Sequence, residues 1–171
     1  MGDVVQARQA KTESIQRTVA QKELSDSAQK KITVERLAVL PDRLEARVRI
    51  VDPHYRMTTP KLIERIVEQF PTLPYHTCRN EFGPTFGAVM EKTSVPHLLE
   101  HMVIDIQTHE HAQDVFRKTG DEKVVFTGTT QWSADDPDVA IVRVSFLDDL
   151  IALSAFKKAL NSIERALAQE S

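Results

Sequence analysis

A single cysteine, Cys78, stands in 171 residues, which excludes an intrachain disulfide. No apolar run approaches the roughly 20 residues needed to cross a bilayer, and the N-terminus lacks the apolar stretch of a secretory signal. The expectation is a reducing, cytoplasmic setting with no membrane partner. Positive charge is not in excess: 22 Lys and Arg against 25 Asp and Glu leave a formal net charge of -3, with the signs interspersed. There is no concentrated field for a phosphate backbone, so nucleic acid is not expected as a partner. Glycine is scarce, with five residues, and none builds a phosphate-binding P-loop or a G-x-G-x-x-G turn. A serine nucleophile elbow is also missing. Nucleotide-driven chemistry has no support, and no cofactor-binding motif of that kind is expected.

The length suits one domain able to bury a core without covalent staples. Residues 1–28 are rich in Gln, Ala, Lys and Ser, with Val4, Val5, Ile15 and Val19 too sparse for a strong core face. They read as a helical or partly ordered extension, with a homo-oligomer built through it as one expectation. The domain proper is expected over 29–171. Lys31 to Leu40 and Arg43 to Val51 alternate apolar with charged residues around Pro41-Asp42, the pattern of a hairpin with one wet face. Thr59-Pro60 supplies a cap and a first-turn proline for a helix with Leu62, Ile63, Ile66, Val67 and Phe70 on one stripe.

The segment between Pro71 and Lys92 carries Pro74, Gly83, Pro84 and Gly87 and reads as an irregular loop, with a short helix expected over Phe86 to Glu91. Ser94 is placed to cap a helix running to about Gln113 that buries Leu98, Leu99, Met102, Val103 and Ile106. Strands are expected at Lys123 to Trp132 and Val139 to Phe146. A last helix would reach about Gln169 on a stripe of Leu150, Ile151, Ser154, Leu160 and Ile163. This order implies an α+β fold, a mostly antiparallel sheet of about four strands with helices packed on one face.

The chemistry concentrates in His97-Leu98-Leu99-Glu100-His101, an H-x-x-E-H sequence within the central helix. Histidines four apart on a helix point the same way, and Glu100 lies one turn after His97. Two neutral imidazoles can hold zinc, and a neighbouring carboxylate can take a proton from water, the inverzincin arrangement. Without a metal the same residues are surface groups making weak helix pairs. A third protein ligand is normal for a catalytic zinc, and Cys78, His76, Asp105 and Glu81 are on offer. Asp105 lies one turn past His101, and three ligands at successive i+4 steps fan out. A residue from the Pro/Gly loop shortly before the helix is sterically easier, and there Cys78 sits beside a histidine, so Cys78 comes first and His76 second. His109, Glu110 and His111 form another cluster, but imidazoles near a helix C-terminus are favourable without any metal.

The run Leu73-Pro-Tyr-His76-Thr-Cys78, then Gly83-Pro-Thr-Phe86, Lys92-Thr93, His97-Leu-Leu-Glu100-His101-Met-Val-Ile-Asp105-Ile-Gln107, Phe126-Thr-Gly-Thr129 and the strand from Asp138 resembles the N-terminal domain of cyanophycin synthetases. The resemblance covers roughly residues 60 to 167. Those synthetases polymerise aspartate and arginine with ATP-grasp and Mur-ligase-like domains that have no counterpart here, so a stand-alone relative is expected. In the family this domain is implicated in holding the branched polymer, and in some members it carries a metallopeptidase-like site. The resemblance implies His97 and His101 as metal ligands, Glu100 as the base and Cys78 or His76 as further site residues. The expectation is a zinc-dependent hydrolase of a peptide or isopeptide bond, acting on a branched peptide. Its zinc, one per chain, would be held by His97, His101 and Cys78, and Glu100 would be catalytic. His76, Glu81, Phe86, Asp105 and Thr129 would contact substrate or support the ligands. The alternative is a non-catalytic module that binds a peptide polymer or a partner through the same groove.

Overall fold

Alternation of apolar and charged side chains builds the first hairpin, in which β1 (Ile32–Val39) pairs antiparallel with β2 (Arg43–Ile50). The computed structural model describes residues 30–118 and 124–170; the expected N-terminal extension lies outside them. Two later strands, β3 (Gly128–Trp132) and β4 (Val139–Ser145), complete a four-stranded sheet in the order β1-β2-β4-β3, with every pairing antiparallel. The helices are α1 (Pro60–Gln69), α2 (Val95–Lys118) and α3 (Asp149–Ala168).

The period-two pattern decides which face of the sheet is covered. Leu44, Ala46, Val48 and Ile50 of β2 and Ala140, Val142 and Val144 of β4 are buried. α2 packs over β3 and β4, α3 packs over β1 and β2, and the two helices contact each other. The opposite face carries ion pairs instead. A bulge between Val34 and Arg36 leaves Glu35 unpaired in the ladder, where it takes both Arg47 and Arg49, while Arg143 reaches Glu45 at 2.7 Å. Half-exposed pairs of this kind add little stability, but they keep that face wet. The α+β class, the antiparallel sheet and the one-sided helix layer all match expectation.

Local signals set the helix starts. Thr59 accepts from the Leu62 N–H at 3.1 Å and its hydroxyl donates to Glu170 at 2.7 Å, and Pro60 occupies the first turn. Asp148 accepts from the N–H groups of Leu150 and Ile151 to open α3. Ser94 Oγ accepts from His97 N at 3.3 Å at the start of α2. Burial of Leu98, Leu99, Met102 and Val103, each without accessible surface, stabilises α2 by roughly 1.5–3 kcal/mol per large side chain.

Three expectations are corrected. α2 continues to Lys118 rather than stopping near Gln113. β3 begins at Gly128, with Val124 to Thr127 outside the strand, and Lys123 lies outside the described residues. In α3 the buried stripe is Ala152, Ala155, Phe156, Ala159, Ser162, Ile163, Ala166 and Leu167, whereas Leu150 is 72% exposed and Ser154 is exposed. The alanines that read as filler are the inward face, because small side chains let the helix sit close on the core. Among the described residues no helix is long and apolar enough to cross a membrane.

Candidate metal centre

The segment expected as an irregular loop is a narrow, pinned excursion. Thr77 and Thr85 form an isolated antiparallel bridge, and Cys78 N donates to Pro84 O at 3.1 Å while Phe86 N donates to His76 O at 2.8 Å. Asn80 staples the tip: its Oδ1 accepts from Phe82 N and Gly83 N, and its Nδ2 donates to the carbonyls of Cys78 and Thr85. Such Asx closure replaces backbone pairing in a turn. Two single turns of 3-10 helix follow, Phe86–Ala88 and Met90–Lys92, where one short helix was expected.

This excursion brings Cys78 over the first turns of α2. Cys78, His97 and His101 each offer a ligand atom, and the three atoms lie within 4.8 Å of one another. Cys78 Sγ is 3.6 Å from His97 Nε2. Thr93 Oγ1 lies 2.7 Å from His97 Nδ1, so with Nδ1–H donated to that hydroxyl, Nε2 keeps its lone pair toward Cys78. Phe86 is fully buried and stacks on the His101 ring with centroids 4.0 Å apart, and its edge meets His97 at 5.3 Å. Both imidazoles are thereby held in place.

The electrostatics favour neutral imidazoles. Burial lowers the pKa of His97, and burial, with the His97 and His76 rings nearby, takes His101 down to about 3. Burial pushes the Cys78 thiol up, against a hydrogen bond with Asn80 and with a further rise from the Glu100 charge. Glu100 is 5% exposed; burial raises its carboxyl to about 7, partly offset by the Thr130 hydroxyl, which donates to Oε2 at 2.5 Å.

These groups share a cleft of roughly 1060 Å³. His76, Cys78, Arg79, His97, Glu100 and His101 lie on one side, and the chain from Val124 to Thr130 with Trp132 lies on the other. Arg56 stacks over the Trp132 ring at 3.8 Å and stiffens that wall. β3 reaches Glu100 only because residue 128 is glycine. A Cβ there would fall 2.6 Å from both Cγ and Oε1 of Glu100 and 2.9 Å from Cδ.

Of the expected site residues, Cys78, His97, Glu100 and His101 come together, and Thr129 and His76 line the cleft. Phe86 backs the histidines instead of facing the cleft. Asp105 is 3% exposed and stands behind the site, bonded to Thr72 and, at 2.9 Å, to His76. Glu81 is exposed and is not among the cleft-lining residues, because Asn80 turns the loop tip away. Glu110 pairs with Lys158, and His109 Nδ1 lies 2.8 Å from the Asp105 carbonyl; that second cluster gathers no metal-binding group among the described residues. Thr72, Thr93 and Thr130 hydrogen-bond Asp105, His97 and Glu100, and the spacing of residues along the chain does not foretell these contacts. Only Gly128 had a legible signal, an isolated glycine in a strand, which marks close approach by another group.

No curated protein matches the chain significantly. Residues 47–167 match the model of the cyanophycin synthase-like N-terminal domain, and the chain belongs to that family.

Proposed function

We propose that this protein is a zinc-dependent hydrolase of a peptide or isopeptide bond, with cyanophycin-like branched peptides as its substrate class. The observation that carries the reading is a thiol and two imidazoles with ligand atoms within 4.8 Å, in the same cleft as a carboxyl group poised near neutrality. The donor set fits zinc. Bonds of about 2.3 Å to sulfur and about 2.0–2.1 Å to nitrogen, meeting at a tetrahedral angle, span about 3.6 Å, and Cys78 Sγ and His97 Nε2 are 3.6 Å apart. Zinc, when bound, supplies Lewis acidity that lowers the pKa of water toward about 7 and polarises a carbonyl.

The chain's own residues supply the rest. Glu100 accepts a proton from the attacking water, whose oxygen bonds to the carbonyl carbon, and returns a proton to the amine as the C–N bond breaks. Thr130 holds Oε2, which fixes the carboxylate plane. Cys78 suits a ligand better than a free nucleophile, since burial keeps its thiol protonated and only a nearby cation would draw out the thiolate. Family membership supports the substrate class.

Protein purified without an affinity tag or chelator is expected to hold about one zinc per chain, and the His97→Ala/His101→Ala double variant none. The loaded wild type is expected to release free amine from a β-linked aspartyl-arginine oligomer. Zinc-loaded wild type that binds the oligomer without releasing product overturns the hydrolase reading and favours the binding module.

Gly128→Ala tests the Glu100 geometry without touching a ligand. The added methyl must displace a carboxylate it would otherwise overlap, and misplacement by about an ångström costs on the order of 10²-fold in rate. Unchanged zinc content with kcat lowered by about that factor is expected. An unaltered kcat would mean that Glu100 need not lie against β3.

A further inference from the structure

Behind His101 lies a partly buried chain of polar contacts that the hydrolytic step does not use. Asp105 Oδ1 is 2.9 Å from His76 Nε2, and His76 Nδ1 is 3.4 Å from His101 Nδ1. The carboxylate end is firmly held. Thr72 donates to the same Oδ1, His109 Nδ1 lies 3.4 Å from Oδ2, and the Asp105 side chain is 5% exposed.

A neutral imidazole has one N–H and one lone pair, and a carboxylate only accepts. Facing Asp105, His76 Nε2 must carry its proton, which leaves His76 Nδ1 with a lone pair. Two facing ring nitrogens cannot both accept, so His101 Nδ1 must carry a hydrogen toward His76. The lone pair of His101 then sits on Nε2. Phe86, stacked on the ring, resists the flip that would exchange the two nitrogens.

We infer that Asp105 and His76 form a tautomer relay that sets His101 as the Nδ1–H form and so presents Nε2 as its donor atom. In this role they are positioning residues and not ligands. His76 is outside the trio whose ligand atoms cluster within 4.8 Å. A carboxylate behind a metal-binding histidine ordinarily acts directly on that histidine; here a second imidazole is interposed. The consequence for zinc affinity rests on the zinc reading above, whereas the tautomer itself does not.

The test uses the full chain labelled with nitrogen-15 in histidine, stripped of metal and held at pH 8, with long-range proton-nitrogen correlation spectra. Wild type is expected to show His76 as the Nε2–H form and His101 as the Nδ1–H form. In His76→Ala and in the near-isosteric Asp105→Leu, which leaves no acceptor for His76 Nε2–H, His101 should lose that single tautomer, with folding checked by circular dichroism. Zinc affinity, measured by competition with a chelator, should fall by about 10- to 100-fold in both variants. His101 found as Nε2–H in the wild type overturns the relay. So does a His76 nitrogen that takes on a metal-ligated shift when zinc is added, since His76 would then be a ligand. Failure of wild type to bind zinc would defeat the hydrolase reading alone and leave the tautomer result standing.

Discussion

Glu100→Gln is expected to reduce hydrolysis by about 10²–10⁴-fold while zinc content and fold are kept. The amide keeps the size of the carboxylate and can still accept from the Thr130 hydroxyl that now donates to Oε2; it cannot take a proton from water. The size of the loss follows from the position of the group. A base works best when its pKa lies near the operating pH, and burial has brought Glu100 to about 7. A Thr130→Ala variant separates charge from placement, because it removes the hydrogen bond and leaves the base. Zinc analysis beside product release decides the matter, and retained turnover in Glu100→Gln at full zinc occupancy would remove Glu100 from the mechanism.

Stability of the zinc-free protein is expected to carry the signature of the same buried acid. Glu100 has a folded pKa of about 7 against an ordinary 4.5, so between those values the folded state binds more protons than the unfolded one. Its contribution is fully present below pH 4.5 and is lost as pH rises through about 7. His101 acts with the opposite sign. Its folded pKa of about 3 lies below the ordinary 6.5, so its contribution grows as pH rises from about 3 to 6.5. The two slopes oppose each other between pH 4.5 and 6.5, and a wild-type profile alone would look flat there. Comparison with Glu100→Gln cancels the histidine and isolates the carboxyl. The stability of Glu100→Gln relative to wild type should rise by on the order of 3 kcal/mol between pH 4.5 and 8. Urea unfolding at several pH values with a chelator present measures it. A difference that stays constant with pH would mean that Glu100 is solvated in the metal-free state.

Much of this molecule was legible in one dimension. The hairpin followed from alternation about Pro41-Asp42, and α1 followed from Thr59-Pro60 and the stripe after it, because these patterns report local geometry and nearest-neighbour solvation. The H-x-x-E-H run placed His97, Glu100 and His101 by helical spacing alone. Even the approach of Cys78 to the histidines could be expected from its place in a Pro/Gly loop shortly before the helix. α3 was legible as a helix but not in its facing, since alanine sits equally well at an interface or in water, and only packing against the core chose the side.

What the linear pattern could not supply were distances across the fold. Glu81 was as plausible a site carboxylate as Asp105 until the Asn80 staple turned one outward and the Thr72 and His76 bonds drew the other inside. Gly128 acquired its meaning only when β3 was laid against α2, 28 residues from the glutamate it admits. Composition and periodicity determined the fold class, the central helix and the histidine pair, because these depend on local conformation and on which side chains leave water. Tertiary structure alone decided the partners of those histidines and the burial of Glu100 and His101. Burial and hydrogen bonding between distant segments shift pKa values, and neither is encoded in the spacing of neighbouring residues.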